Sequence, residues 1–193
     1  MAQIKSLIIK AVEDSIDAKK SILSQSDTIE KIAGEIINAY KRNNKILICG
    51  NGGSAADAQH FAAELVCRFK KDRMALPAIA LHTDTSAMTA IGNDYGFEKV
   101  FARQVEALGS SGDILFAIST SGNSKNVIEA IKAAKEKEMI TVGLLGNDGG
   151  LMKGMCDFSV IINSRDTARI QESHITIIHI LCEIIENSLF GSV

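Results

Sequence analysis

A chain of 193 residues, 46% hydrophobic and 23% charged, has the make-up of an ordinary globular protein with room for a sizeable core. A net charge of −2 excludes the basic field that duplex nucleic acid requires, and no run of like charges marks an acidic or basic tail. Lys5 and Lys10 break what would have to be the apolar core of a secretory leader. His179, Glu183 and Glu186 interrupt the most apolar stretch (175–189), so neither export nor a membrane span is expected.

The first forty residues predict two helices. Ile4, Leu7, Ile8, Ala11, Val12 and Ile16 follow helical spacing, as do Ile29, Ile32, Ala33, Ile36, Ile37 and Tyr40, with Asp27 and Glu30 read as a capping pair for the second helix. From Lys45 the pattern changes to short apolar runs at 46–49, 78–81, 114–118, 141–145 and 158–162, most of them apolar on both faces. Such runs suit strands of a parallel sheet covered on both sides. Helical patterns lie between them at 54–69, around 85–91, at 97–108 and at 125–137, and a long helix over about 167–189 follows the last strand. This alternation predicts an α/β fold, a doubly wound five-stranded parallel sheet with ligands at the carboxyl ends of its strands. No repeat, low-complexity segment or linker divides the chain, so residues 1–193 form one expected domain, with 1–42 as an N-terminal helical arm. Both arm stripes are wide enough to pack against a partner as well as a core. Cys49, Cys67, Cys156 and Cys182 form no CxxC pair, which fits reduced thiols in the cytoplasm.

The first strand enters its helix through Gly50-Asn51-Gly52-Gly53-Ser54. Gly50-x-Gly52-x-x-Ala55 formally matches the dinucleotide fingerprint, but that site wants an acidic residue about 20 positions on. The nearest candidate, Asp84, comes 34 residues after Gly50. No Lys-Ser/Thr follows, so a Walker loop is excluded. Two readings remain: a tight structural turn, or a turn whose Asn51, Gly52 and Gly53 let a polar ligand approach the backbone. Ser54 is expected to cap the helix, with Asp57 at its third position.

After the third strand, Ser119-Thr120-Ser121-Gly122-Asn123-Ser124 puts four hydroxyls ahead of a helix start. Unpaired N–H groups, a partial positive charge and hydroxyl donors at one point suit a phosphate monoester, although Ser124 alone would serve as an ordinary N-cap. His60 and Glu64, four apart on one helix face, could hold a metal, pair a base with an acid, or form a surface pair. His179 reads as a hydrogen-bonded core histidine or as a site residue. Gln171, eight residues earlier, would stand about 12 Å along the same helix and about 80° round it. The two could share an ion only by leaning together, by an irregular helix, or across subunits. His82 and His174 have no partner at useful spacing.

Cys49-Gly-Asn-Gly-Gly-Ser-Ala-Ala-Asp57, His60-Phe-Ala-Ala-Glu64-Leu and Ser119-Thr-Ser-Gly-Asn-Ser124 resemble the sugar-isomerase (SIS) family. Thr83-Asp-Thr, Ile91-Gly-Asn-Asp-Tyr-Gly-Phe97 and Asp166-Thr-Ala-Arg-Ile-Gln171-Glu-Ser-His174, with His179, narrow the resemblance to phosphoheptose isomerases over nearly the whole chain. The resemblance implies a flavodoxin-like SIS domain that interconverts sedoheptulose 7-phosphate and glycero-manno-heptose 7-phosphate, a first step toward heptose for lipopolysaccharide or capsule. It also implies a homotetramer with active sites at subunit contacts and one zinc ion per site. By matched position, the metal ligands are His60, Glu64, Gln171 and His179. The substrate contacts are Asn51, Gly52, Gly53, Glu64, Asn93, Asp94, Ser119, Thr120, Ser121, Ser124 and Gln171. Glu64 and His179 are the expected catalytic pair. Relatives commonly carry a smaller residue where this chain has His82. The alternatives are a non-catalytic SIS-family tetramer that binds the replication initiator, an isomerase of another phosphosugar, and a sugar-phosphate sensor, for which no DNA-binding segment is evident.

Overall fold

The structure, a computed structural model, describes residues 2–191; Met1, Ser192 and Val193, which the expected single domain includes, lie outside the described residues. The helices are α1 (Ala2–Lys20), α2 (Ser26–Lys41), α3 (Gly53–Val66), α4 (Thr85–Tyr95), α5 (Ala102–Leu108), α6 (Lys125–Glu136) and α7 (Thr167–Phe190). The strands are β1 (Ile46–Cys49), β2 (Ala78–Ala80), β3 (Ile114–Ser119), β4 (Ile140–Gly146) and β5 (Phe158–Ile162). All five strands pair in parallel in the order β2-β1-β3-β4-β5. The order reverses between β1 and β3, so the crevice beyond their carboxyl ends is where this topology accepts ligands.

Alternation along the strands sorts the core into two layers. Ile46, Ile48, Ile114, Phe116, Ile118, Val142 and Leu144 face one side and pack with Ile32 and Ile36 of α2, Phe61 and Leu65 of α3, and Ile177, Ile178 and Leu181 of α7. Leu47, Cys49, Leu115, Ala117 and Leu145 face the other side and meet Val105 of α5 and Val127, Ala130 and Ile131 of α6. That two-sided burial is why these strands read as continuous apolar runs. The edge of β5 is covered by Gln25, whose amide donates to the Ile161 carbonyl at 2.8 Å and whose Oε1 accepts the Ile161 N–H at 2.9 Å.

Several local expectations change. The Asp27/Glu30 cap does not form: α2 starts at Ser26, and Gln25 before it makes no side-chain capping bond. Ser54 is not a cap either. It lies inside α3, which starts one residue earlier behind Gly52, in a left-handed conformation with φ +56°. α3 ends at Val66 rather than near residue 69. The 97–108 helix becomes a short 3-10 turn over Phe97–Lys99 followed by α5. α4 runs on to Tyr95, where Gly96 at φ +86° ends it. No described helix is long and apolar enough to cross a membrane.

Candidate active site

The two loops singled out in the sequence follow β1 and β3 and flank the crevice. They are joined by a pair of side chains 75 residues apart: Asn51 Nδ2 donates to Asn126 Oδ1 at 2.9 Å, and Asn126 Nδ2 donates to Asn51 Oδ1 at 2.8 Å. Asn126 is 3% exposed. The Asn51 side chain is therefore engaged in fixing one loop to the other, which leaves the backbone of residues 51–53 to face a ligand. Gly53 has a second constraint, since a Cβ there would overlap the Gln171 amide.

In the hydroxyl loop the serines gather around Ser119. Its Oγ lies 3.0 Å from Ser124 Oγ and 3.4 Å from Ser121 Oγ, and accepts the Gly122 N–H at 3.1 Å. Ser124 stands at the N-cap of α6 without making a side-chain capping bond. The Val127 N–H is taken by Asn126 Oδ1 at 3.0 Å, so the N–H groups this helix start offers to an anion are those of Lys125 and Asn126. Asn147 donates to the Thr120 carbonyl at 3.0 Å and steadies the loop from β4.

On α3, His60 has Glu64 beside it and meets His179 of α7. The two imidazole Nε2 atoms are 3.0 Å apart, and Glu64 Oε1 is 3.3 Å from His60 Nε2. Glu64 is mostly shielded, at 23% side-chain exposure, while His60 keeps 45%. Two facing ring nitrogens beside a carboxylate form a donor set suited to zinc, whose tetrahedral ligand nitrogens stand about 3.3 Å from each other. Among the described residues no three His, Cys, Asp or Glu side chains already close into a metal cage, since Glu64 reaches only His60.

α7 is continuous through both Gln171 and His179, which removes the irregular-helix explanation for their separation. The Gln171 amide lies against Gly53 at the start of α3, whereas His179 meets His60 seven residues further on. Asn93 and Asp94 occupy the last turn of α4, exposed, with Asn93 Nδ2 donating to Asp94 Oδ1 at 2.8 Å. A cavity of about 370 Å³ lies beyond Ser121, lined by Asn123, Asn147, Asp148, Asn163 and Arg165, and holds none of the His60 cluster.

The core histidine of α7 is His174 rather than His179. It is fully buried, its Nε2 is 3.1 Å from the Leu145 carbonyl, and burial pushes its pKa down to about 4. Asp57, one turn before His60, is pushed up to about 6 by burial, opposed by the nearby imidazole, and its Oδ2 is buried without a partner. Spacing reasoning passed over Asn126 because nothing within its own helix marks it. It also passed over Phe69, whose ring centroid lies 5.7 Å from that of His179.

The chain is similar to known proteins over nearly its whole length. The family model for the SIS domain matches residues 11–146. The phosphoheptose isomerase of Clostridium acetobutylicum is 54% identical over 190 residues, 97% of each chain. Phosphoheptose isomerase 1 of Campylobacter jejuni serotype O:2 is 56% identical over 185 residues, 94% of this chain and all of its own length. The solved structure of the phosphoheptose isomerase from Neisseria gonorrhoeae superposes with a TM-score of 0.91 at 47% identity, covering 95% of this chain and 99% of that one. With that identity maintained over nearly its full length, the chain belongs to the SIS domain family and, within it, to the phosphoheptose isomerases.

Proposed function

We propose that this chain is an aldose–ketose isomerase that interconverts sedoheptulose 7-phosphate and D-glycero-D-manno-heptose 7-phosphate, feeding heptose to lipopolysaccharide or capsule. The observation that carries the reading is the contact of His60 with both Glu64 and His179, from two helices, in a fold whose hydroxyl-rich loop opens α6 at the carboxyl end of β3. The phosphate sits at Ser119, Thr120, Ser121 and Ser124, and the sugar lies along the backbone of residues 51–53 toward Glu64, with Asn93, Asp94 and Gln171 as further contacts. Phosphate binding there, remote from the reacting carbons, supplies orientation.

Glu64 removes the C1 proton of the ketose, leaving an enediolate, and returns a proton to C2. His179 moves the balancing proton from O1 to O2. His60, Glu64, Gln171 and His179 would hold a zinc ion, which would supply Lewis-acid polarisation of the carbonyl when bound; an atom of Glu64 or His179 that ligates the metal carries no proton, so the two roles alternate. His60, Glu64 and His179 supply donors that suit zinc, whereas the Gln171 amide lies at Gly53, seven residues of α3 before His60, and would have to swing across to join them.

One domain spanning 1–193 carries the site, and residues 1–42 serve the assembly of a homotetramer with sites at subunit contacts. Ile4, Leu7, Ile8, Val12 and Ile16 on α1, all about half exposed or more, support that role. Four free cysteines support a cytoplasmic enzyme. The relatives described above are all phosphoheptose isomerases, which lends no support to the non-catalytic partner of a replication initiator.

The test is an isomerisation assay with metal analysis on the same preparation. Glu64→Gln should lose turnover while still binding the phosphosugar, and near-normal turnover by that variant would remove Glu64 from the chemistry.

A further inference from the structure

His179 must keep its ring at a fixed angle to act on two oxygens, and nothing on α7 itself holds it. Two turns further along the same face stands Glu186. Its carboxylate, in a residue 2% exposed, accepts the backbone N–H groups of Phe69 (3.1 Å), Lys70 (2.9 Å) and Lys71 (2.8 Å), and also Arg73 Nε (3.2 Å). Three successive amides aimed at one point make an anion-binding nest, filled here by the protein's own side chain.

Arg73 is equally buried and turns its other N–H groups to carbonyls: Leu65 at 2.7 Å, Met74 at 2.9 Å and Glu64 at 2.8 Å. Glu64 and Leu65 belong to the last turn of α3, whose carbonyls have no partner within the helix. One buried ion pair therefore joins the end of α3, which carries Glu64, to the face of α7 that carries His179. The loop it captures also carries Phe69, whose ring lies at 32° to the His179 ring.

We propose that Glu186 is a positioning residue for the isomerisation: by clamping the 69–73 loop it sets the His179 imidazole against Phe69 and sets the end of α3 that presents Glu64. The inference rests on the roles proposed above for Glu64 and His179. Glu186 has its acceptor capacity filled by the loop and Arg73, so its loss should act on turnover rather than on substrate affinity.

In Glu186→Gln one acceptor oxygen becomes an NH₂ group facing N–H donors, and Arg73 loses its counter-charge. The expected result is a fall in kcat of about ten- to a hundredfold, the scale of an ångström misplacement, with KM within about twofold. The His179 ring resonances should shift in the NMR spectrum. Phe69→Leu keeps the ion pair and removes only the ring, so it should fold normally and lower kcat in the same direction with the same resonances moved. Glu183→Gln, which loses only the exposed pair with Lys70, should change neither.

Unchanged kcat in either folded variant, a loss confined to KM, or a fall in kcat with unmoved His179 resonances would overturn the proposal. If Glu186→Gln does not fold, Phe69→Leu decides. An inactive parent protein, or an active Glu64→Gln, would instead overturn the assigned reaction, and the His179 resonances of the two variants would still report on positioning.

Discussion

Acid should weaken this fold through His174, and the size of the effect follows from its surroundings. The side chain is fully buried between α7 and β4. It keeps one hydrogen bond, to the Leu145 carbonyl, and its Nδ1 has no partner. Burial therefore disfavours the imidazolium and takes the pKa from 6.5 to about 4, with the Leu145 carbonyl opposing the change only in part. The unfolded chain takes up a proton below pH 6.5 that the folded chain refuses, so stability is lost as pH falls. The loss begins near 6.5, reaches about 2 kcal/mol at pH 5, and levels off below pH 4 at about 3 kcal/mol. That is a large share of the stability of a domain, which is on the order of 5–15 kcal/mol.

Asp57 works in the opposite direction. Its folded pKa of about 6 exceeds its ordinary 3.8, so the fold gains stability as pH falls between those values. The parent curve alone mixes the two, and the informative quantity is the difference from His174→Gln, which can still donate to Leu145 but does not titrate. Urea denaturation of both proteins at fixed concentration, from pH 7.5 to 4.5, should show the parent losing about 2 kcal/mol more than the variant by pH 5. Parallel curves, or a folded-state His174 that titrates near 6.5 by NMR, would refute the argument.

Gly53→Ala should displace the Gln171 amide, lowering turnover and metal content together while costing little stability, as read by activity, metal analysis and thermal melting. Asn126→Ala removes both hydrogen bonds to Asn51 and should raise KM for the phosphosugar about tenfold, whereas an unchanged KM would mean the two loops hold their positions separately. Stripping metal with a chelator should abolish activity, restored by zinc; full activity in a verified metal-free sample would leave the imidazole pair without that role. Paired Leu7→Lys and Ile8→Lys on the exposed face of α1 should reduce the assembly to smaller species by sedimentation, and an unchanged mass would exclude this face from the contact.

Much of this protein was legible one residue at a time. Two-sided burial in a parallel sheet leaves a direct trace in β1 and β3, apolar at nearly every position, while β2 and β5, only partly buried, were found as short apolar runs between turns and helices. The His60–Glu64 pair was legible because both lie on one helix, where spacing becomes geometry. The end of α3 was not, because residues 67–69 continue a helical pattern while the amides of 69–71 are taken by a carboxylate on α7, 115 to 117 residues away. For the same reason spacing left His179 open between a core histidine and a site residue, and found no partner for His174. Both lie on one apolar helix, and only the packing of α7 turns the first toward the Leu145 carbonyl and the second toward His60. Local patterns record what a residue does within its own strand or helix, whereas partners supplied by distant segments exist only once the strand order has brought the ends of β1 and β3 together.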